Sequence, residues 1–369
     1  MERVDEHLFT STKKREVPTM QRRIRTLLAA GAAIALSSVL VACSSDSGSS
    51  TTSNPATSGS GAAASNAPDS GELSLEGKVI GIAVVGTQHF WDREAFQGAV
   101  DEVERLGGTV ITTDGGRDNT VHAENHDVFL TQNVDAVITI LGDDAVEPKL
   151  EALQAAGIPV FGVDRDSEFA VNNSQSDNEA AGEAAARILG DYLDGEGQVA
   201  VFNAFSESLS FCGVRYNSWR TTLESEYPNI ELLEPELAEE FSNAPEDARQ
   251  QTMTLLERYG KGSISAIHVA CWDQPAIGVV QAIQDAGRDD VVVTAIDAGP
   301  DTLEIMMEPG SPFIGNVAQQ PRLIATYAAQ NVAKFLAGET VEEQTYVDIF
   351  PADGPEGAAD VYKKLGYDK

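Results

Sequence analysis

The chain has 369 residues and is strongly acidic, with 58 Asp and Glu residues against 25 Lys and Arg residues and a formal net charge of −33. This length allows two ordinary domains, and a hydrophobic content of 42% is enough to form their cores. A surface this acidic repels phosphate backbones and anionic membrane faces, so we expect no nucleic-acid partner.

The N-terminal segment has the features of an export signal. Basic residues over 22–25 precede an apolar stretch over 27–42 that is too short for a comfortable transmembrane helix. The sequence LVAC, which ends at Cys43, resembles the lipobox of bacterial lipoproteins, in which the cysteine is lipidated. We therefore predict a signal peptide over 1–42, translation from Met20, and a protein anchored by lipid to the outer face of the cell membrane. The alternative is that Cys43 is an ordinary buried thiol.

A flexible tether is predicted over residues 43–76. From Ser44 to Ser70 the chain consists almost entirely of Ser, Gly, Ala, Thr, Asn and Pro. Such a segment buries too little apolar surface to offset the entropy of ordering. We expect the globular part to begin near Gly77.

From Gly77 onward, short apolar runs alternate with amphipathic stretches. The first half is predicted to contain strands over 78–85, 109–113, 136–140 and 159–163, and helices over 92–106, 121–132 and 145–156. Alternating βα units of this length favour a parallel sheet with right-handed crossovers.

The second half repeats this alternation. It is predicted to contain helices over 179–193, 214–227, 245–259, 275–286 and 321–336, strands over 198–203, 230–237, 266–270, 291–296 and 313–317, and an extended segment over 345–350.

Two successive doubly wound halves predict an α/β protein with two parallel-sheet lobes joined by a hinge of several crossovers. The predicted lobes are 77–177 plus 320–340 and 178–319 plus 341–369. We expect the crossovers near 176–177, within 299–320 and within 338–344. A cleft between two lobes is a common ligand site.

The predicted strand at 159–163 ends in Asp164-Arg165-Asp166. In open α/β sheets, ligands bind at the carboxyl ends of the strands. A carboxylate beside a guanidinium offers an acceptor and a planar set of donors, which suits a polyhydroxylated ligand. The alternative is a solvated loop with a local ion pair.

The other predicted strands end in side chains of the same kinds. Aromatic rings stack on the apolar faces of sugars, while carboxylates, arginines and amides bind their hydroxyl groups. Such residues are His89, Phe90, Trp91, Asp143, Asp144, Phe205, Arg215, Phe241, Trp272, Asp273, Asp297 and Gln319. We expect Asp144 to touch a hydroxyl group rather than a cation.

Several motifs together resemble the ribose/galactose type of periplasmic sugar-binding proteins, over nearly all of residues 77–350. The motifs are KVIGIAVVGTQHFW, VDRD, SDNEAAGEAAARIL, CGVRYNSW, CWDQPAIGVVQAIQDAG, VVVTAIDAGPD and NVAQQP. The resemblance implies the type I periplasmic-binding-protein fold, hinge closure around a monosaccharide or related polyol, and an ABC permease partner. It implies no catalysis and no cofactor, and we expect a monomer.

The resemblance also assigns ligand contacts. Phe90 and Trp91 are expected to stack on the sugar, and the polar contacts are expected from Asp164, Arg165, Arg215, Asp297 and Gln319, with Phe241 as a further aromatic contact. The sequence departs from the ribose pattern at Trp272, where that pattern has Asn. An indole stacks and donates once, which argues against ribose itself.

Several other functions fit the sequence less well. The sequence has no Gly-x-Ser-x-Gly elbow, P-loop or dinucleotide-binding glycine motif, which argues against common enzyme classes. The lipobox and the lack of a basic helix-turn-helix argue against a regulator that resembles the lactose repressor. A signalling receptor, or a receptor for amino acids or nucleosides, is an alternative. His122 and His126 have metal-ligand spacing, but no third ligand lies near in sequence, so we predict a solvated helix face and no metal.

The two remaining cysteines, Cys212 and Cys271, are predicted to form a disulfide. Exported proteins meet oxidising conditions, and Cys43 is assigned to the lipid. Both cysteines follow strands that should be neighbours in the second sheet. The alternative is two unconnected thiols that pack as small apolar groups.

Overall fold

The computed structural model describes residues 73–203 and 205–368. The predicted signal peptide, Cys43 and most of the predicted tether lie outside these residues. The first half of the described chain forms β1 (Val79–Val84), α1 (Phe90–Arg105), β2 (Thr109–Asp114), α2 (Asn119–Asn125), α3 (Asp127–Thr131), β3 (Ala136–Ile140), α4 (Glu147–Ala155), β4 (Val160–Val163) and β5 (Ala170–Ser176).

The second half continues the alternation of helices and strands. Its elements are α5 (Asn178–Tyr192), β6 (Glu196–Phe202), α6 (Ser210–Glu226), β7 (Asn229–Leu232), α7 (Ala244–Arg258), β8 (Ala266–Val269), α8 (Gln274–Asp285), β9 (Val292–Asp297), α9 (Pro300–Met307), β10 (Phe313–Ala318), α10 (Pro321–Leu336), β11 (Gln344–Val347), β12 (Phe350–Asp353) and α11 (Gly354–Lys364).

These strands form two six-stranded sheets, which define two lobes. The first sheet has the order β11-β5-β4-β3-β1-β2 and is parallel throughout. The second has the order β12-β10-β9-β8-β6-β7 and is parallel except for β12. The predicted fold class of two doubly wound parallel-sheet lobes is confirmed.

Helices cover both sheets and enclose their apolar cores. In the first lobe, α1 and α10 pack together on the sheet, and in the second, α5 packs on α6. Gly182 permits the close approach of α5 to α6, because an added Cβ would lie 2.2 Å from the carbonyl oxygen of Arg215. None of the helices within the described residues is both long and apolar enough to cross a membrane.

The chain crosses between the lobes near Asp177, at residues 319–320 and at residues 348–349. The first two crossovers lie where the sequence predicted them. The third lies later, because β11 pairs with β5 of the first sheet. Residues 344–347 therefore belong to the first lobe, although the sequence analysis assigned them to the second.

Several elements differ from the predicted ones. Residues 121–132, which were predicted as one helix, form α2 and α3. The elements β5, α9, β12 and α11 were not predicted. Leu75, predicted to lie in the tether, is fully buried in the first core, and its N–H donates to the carbonyl of Leu106. The ordered packing of the first lobe thus begins before Gly77.

β5 escaped prediction because its buried side chains are polar. Asn172 is fully buried, and its amide donates to the Glu342 carbonyl and to Thr345 Oγ1, at 2.9 and 3.0 Å. Ser174 donates to Asn172 Oδ1 at 3.0 Å, and so does Asn331, at 3.1 Å. A hydrogen-bonded network thus occupies a position where apolar periodicity would place Val or Ile.

Candidate functional site

A cavity of about 320 Å³ lies between the carboxyl ends of the two sets of strands. The first lobe contributes residues after β1, β2, β3 and β4, and the second contributes residues after β6, β7 and β8, at the end of β9, and in α6. The polar and aromatic lining residues are His89, Trp91, Asp92, Arg117, Asn119, Asp143, Asp164, Phe205, Ser208, Phe211, Arg215, Phe241, Trp272 and Asp297. This volume lies at the small end of the range of about 300–1,000 Å³ that is usual for ligand pockets.

Arg215 is the centre of the polar network and is only 2% exposed. Its Nη2 donates to Asp164 of the first lobe at 3.2 Å and to Gln319 at 2.9 Å. Its Nη1 donates to the carbonyl of Cys271 at 2.7 Å and contacts Asp297 at 3.4 Å. One guanidinium therefore joins carboxylates from both lobes.

Both carboxylates beside Arg215 are hard to ionise. Burial raises the pKa of Asp164 to about 6, although the charge of Arg215 works in the opposite direction. Burial also raises the pKa of Asp297 to about 8, again against the effect of Arg215. Burial thus outweighs the attraction of Arg215 at both carboxyl groups.

His89 makes a second polar link between the lobes. Its Nδ1 lies 3.5 Å from Asp92 Oδ1 of the first lobe, and its Nε2 lies 3.6 Å from Asp273 Oδ1 of the second. Burial alone would lower the pKa of His89, but the carboxylates of Asp273 and Asp92 raise it to about 10.

Two aromatic rings form the wall of the cavity in the second lobe. Phe241 and Trp272 stack with their centroids 5.6 Å apart. The guanidinium of Arg117, from the first lobe, lies 4.1 Å from the Phe241 ring and 5.0 Å from the Trp272 ring. A cation over two aromatic faces contributes attraction across the cleft.

Trp272 is held from behind by Glu239. The indole Nε1 donates to Glu239 Oε2 at 2.6 Å, and both side chains are buried. Burial raises the pKa of Glu239 to about 8. The indole N–H is therefore engaged within the protein, and the side chain lines the cavity.

Apart from Asp92 Oδ2, which forms an ion pair with Arg117, four polar atoms of the lining are buried and have no hydrogen-bond partner among the described residues. Two are donors, Trp91 Nε1 and Arg117 Nε, and two are acceptors, Asn119 Oδ1 and Asp164 Oδ1. Buried polar groups are normally paired, so such a set in a cavity indicates groups that a ligand would satisfy. The mixture of donors and acceptors matches hydroxyl groups, which do both.

Six of the ten predicted ligand residues line this cavity: Trp91, Asp164, Arg215, Phe241, Trp272 and Asp297. Gln319 lies behind it and is fully buried, donating to Asp297 and accepting from Arg215.

Phe90, Asp144 and Arg165 lie outside the lining. Phe90 packs edge-on against Tyr367 at 5.4 Å. Arg165 bonds Asp144, at 3.3 Å, and Glu147 of its own lobe.

Five polar or aromatic lining residues were not predicted from the sequence: Asp92, Arg117, Asn119, Ser208 and Phe211. His89 was predicted only as a strand-end residue. Arg117 and Asn119 follow β2, whose carboxyl end was not considered as a source of ligand contacts. The motif GGRDN directly after a predicted strand was the available signal. Asp92 follows Trp91 in the first turn of α1.

The predicted solvated face of His122 and His126 is wrong, because both rings are buried, at 1% and 0% exposure. His126 Nδ1 donates to the His122 carbonyl at 2.9 Å, and its Nε2 accepts from Thr139 at 3.0 Å. Burial lowers the pKa of His122 to about 3 and that of His126 to about 4. Both histidines are thus neutral core residues.

The structure pairs Cys212 and Cys271 as a disulfide, with Cα atoms 4.8 Å apart. Cys212 lies in the first turn of α6, one turn before Arg215, and Cys271 follows β8 directly. The bond therefore joins the element that carries Arg215 to the segment whose carbonyl Arg215 bonds.

A family model described as periplasmic binding protein domain matches residues 80–340. The chain therefore belongs to the periplasmic binding protein family, whose members are solute receptors and not enzymes. The resemblance to ribose/galactose-type proteins inferred from the motifs is confirmed, as is the expectation of a non-enzymatic protein.

Particular relatives agree with this assignment. The ribose import binding protein of Bacillus subtilis is 27% identical over 252 residues, 67% of this chain and 78% of the relative. An ABC sugar transporter subunit from Rhodobacter sphaeroides 2.4.1 is 38% identical with a TM-score of 0.73, covering 76% of this chain and 99% of that one. A solute-binding protein from Agrobacterium vitis, solved with bound allitol, is 36% identical with a TM-score of 0.76, covering 79% and 100%.

Proposed function

We propose that this protein is a lipid-anchored receptor that captures a neutral polyol or monosaccharide between its lobes and delivers it to an ABC permease. The observation that carries the proposal is the set of unpartnered donors and acceptors in the cavity between the lobes, at Trp91, Arg117, Asn119 and Asp164. Hydroxyl groups on successive carbons are able to pair with both kinds of atom. The face of Trp272 offers the apolar surface on which their C–H groups pack.

The arrangement of charge argues against an anionic ligand. Arg215 is paired with Asp164 and Asp297, and Arg117 lies 3.3 Å from Asp92 Oδ2. Both guanidinium groups of the cavity are thus already engaged by carboxylates of the chain. A ligand carboxylate or phosphate would meet further buried negative charge, which is costly. Amino acids and nucleotides therefore fit the site poorly.

The similarity to a solute-binding protein solved with allitol supports a polyol or hexose in particular. The cavity volume of about 320 Å³ is suited to a small ligand. Trp272 stands where the ribose pattern has Asn, and its N–H is engaged by Glu239. Trp272 therefore offers a ring for stacking at a position where Asn would bond a hydroxyl group of the ligand.

Closure of the hinge couples binding to delivery. His89, Arg117 and Asp164 of the first lobe contact Asp273, Phe241 and Arg215 of the second. A ligand that bonds groups of both lobes adds its binding energy to these contacts and so favours the closed state. A permease that recognises surfaces from both lobes then distinguishes loaded from unloaded receptor.

Calorimetric titration of the purified protein against hexitols, pentitols, hexoses and pentoses tests the ligand class, with amino acids and nucleosides as controls. We expect saturable binding of at least one polyhydroxylated compound and none of the controls. Trp272→Asn should shift the preference within the panel, since it replaces a stacking surface with an amide. Binding of amino acids in place of polyols would contradict the proposal.

Membrane anchoring has a separate test. The lipobox places the lipid on Cys43, so Cys43→Ala should release the protein from the membrane fraction into the soluble fraction while ligand affinity stays the same. An unchanged distribution between the fractions would contradict lipid anchoring at Cys43 without affecting the proposed ligand.

A further inference from the structure

His89, Asp273 and Asp297 each place one possible metal-ligand atom in a cluster beside the cavity. These atoms all lie within 4.8 Å of one another, and all three residues are buried. His89 and Asp297 also line the cavity. The nitrogen comes from the loop after β1, and the two oxygens come from the loop after β8 and from the end of β9, so the set exists only when the lobes are together.

The separation of His89 and Asp273 fits a shared cation better than a hydrogen bond. His89 Nε2 and Asp273 Oδ1 are 3.6 Å apart, which is too long for a hydrogen bond. With metal–ligand bonds of about 2.0–2.1 Å, two ligands of a tetrahedral Zn²⁺ lie about 3.3 Å apart. Asp273 Oδ1 is fully buried and has no hydrogen-bond partner among the described residues.

The other polar atom of each ligand is already oriented by the protein. Asp273 Oδ2 accepts from Gly299 N–H at 2.9 Å and from Thr302 Oγ1 at 2.6 Å. Asp297 Oδ1 accepts from Gln319. His89 Nδ1 faces Asp92 Oδ1 at 3.5 Å. A carboxylate behind a ligating histidine and hydrogen bonds behind ligating carboxylates are the usual outer shell of a metal site.

The charges around this point also favour a dication. The buried carboxyl groups of Asp92, Asp164, Asp273 and Asp297 stand near two guanidinium groups, those of Arg117 and Arg215. Once a metal ion takes the place of the proton on His89, two guanidinium groups stand against these four acidic groups in a region shielded from water. Buried charge is costly unless it is paired or coordinates a metal.

We propose that His89, Asp273 and Asp297 bind one divalent transition-metal ion, such as Zn²⁺ or Mn²⁺, whose open position faces the cavity and takes a hydroxyl group of the ligand. One imidazole and two carboxylates suit these ions. The coordination of a ligand hydroxyl group by the ion rests on the proposed polyol function. The ion would join both lobes and the ligand, so it would strengthen closure around a hydroxylated compound.

The test measures metal binding by the intact protein, by calorimetry with ZnCl2 and MnCl2 and by elemental analysis after dialysis. Excess Mg²⁺ and 150 mM KCl suppress cation binding to the acidic surface. We expect one tightly bound ion per chain in the wild type. His89→Gln and Asp273→Asn should weaken binding at least 100-fold, and Asp92→Asn, which removes the carboxylate behind the histidine, about 10-fold.

Asp360→Asn is the matched control, because this exposed carboxylate of α11 lies outside the cluster. It should bind the ion as the wild type does. Circular dichroism and thermal melts establish that each variant is folded. If the wild type binds no ion, or if His89→Gln and Asp273→Asn bind it as tightly as Asp360→Asn does, the site is refuted and His89 acts as a protonated bridge between Asp92 and Asp273.

Ligand titrations separate this inference from the proposed function. A hexitol such as allitol should bind the metal-loaded protein at least 10-fold more tightly than the chelator-treated protein. Polyol binding without metal uptake would overturn the metal site and leave the receptor function standing. Metal uptake with equal polyol affinity in both forms would overturn coordination of the ligand hydroxyl. Metal uptake without any polyol binding would count against the proposed ligand class.

Discussion

Arg165 and Arg215 offer a comparison within one cleft, because the sequence predicted both as ligand contacts and the structure buries both, at 4% and 2% exposure. The guanidinium of Arg215 bonds Asp164 of the first lobe and Asp297 of the second. The guanidinium of Arg165 bonds Asp144, Glu147 and the Gly142 carbonyl, all within the first lobe. Burial alone therefore does not distinguish an arginine that bonds both lobes from one that bonds groups of a single lobe.

The backbone after β4 explains the difference. Asp164 has a φ of 47°, in the left-handed region that few non-glycine residues adopt and that Asp tolerates better than most. The chain turns so closely here that a Cβ on Gly162 would lie 2.1 Å from the carbonyl oxygen of Arg165. Two adjacent residues thus diverge, with Asp164 reaching the second lobe and Arg165 returning to the first.

The comparison predicts the largest loss for Arg215→Met. The substitution leaves Asp164 and Asp297 without their cation in a buried site, and breaking such a pair costs about 3–5 kcal/mol. Ligand affinity should fall at least 100-fold in calorimetry, and the free energy of unfolding should fall by an amount in that range in urea titrations.

Arg187→Met serves as the control for this prediction. Arg187 of α5 forms an exposed pair with Glu226 of α6, at 45% side-chain exposure, so its loss should leave stability and ligand affinity close to those of the wild type. Affinity within 10-fold of wild type for Arg215→Met would mean that Arg215 does not organise the ligand site.

Removing the disulfide tests how Arg215 is positioned. Cys212 and Cys271 are 59 residues apart, and in the chain-entropy model closing a loop of this size contributes roughly 4 kcal/mol. The double variant Cys212→Ser, Cys271→Ser should lose stability of that order, and its ligand affinity should fall less than that of Arg215→Met. The measurement is chemical unfolding with and without reductant, where the double variant should not respond to reductant. Equal stability of the wild type in both conditions would contradict the prediction.

Arg165→Met should have a smaller effect that falls on the first lobe. Its main partners are partly or largely exposed, with Glu147 at 26% and Asp144 at 87% side-chain exposure, so water replaces the lost bonds. We expect a loss of about 1–3 kcal/mol in the free energy of unfolding and less than a 10-fold change in ligand affinity. A loss of affinity as large as that of Arg215→Met would place Arg165 in the binding site after all.

The same comparison shows what the sequence was able to predict. Apolar periodicity identified most strands and helices, because parallel strands such as β3 and β4 are buried along their whole length and consist almost entirely of apolar residues. It missed β5, whose buried Asn172 and Ser174 bond one another, and it placed β11 in the wrong lobe, because strand pairing across the hinge leaves no local pattern.

For the site, the residue types at the carboxyl ends of the predicted strands indicated which segments meet. They did not indicate which side chains face the cavity. Phe90 and Trp91 are adjacent in the first turn of α1, and only Trp91 lines the cavity. The direction of a side chain depends on helix phase and on local φ, as at Asp164, and neither quantity is visible in residue type. The cross-lobe role of His89 likewise depends on how Asp273 approaches from the second lobe.

The smallest effect concerns Glu239, which lies behind the wall of the second lobe and touches neither arginine. Burial raises the pKa of its carboxyl from 4.5 to about 8 in the folded protein. Between these pH values the folded state therefore keeps a proton on Glu239 that the unfolded state has lost. The stabilisation that this proton provides is greatest at low pH and disappears as the pH rises through about 8. From pH 6 to pH 7 the wild type should lose about 1 kcal/mol relative to Glu239→Gln. The glutamine is a fair comparison, because its amide oxygen still accepts from Trp272 Nε1, and Asp164 and Asp297 are present in both proteins. Urea titrations at pH 5, 6, 7 and 8 measure the difference, and parallel pH profiles would show that Glu239 is ionised in the folded state.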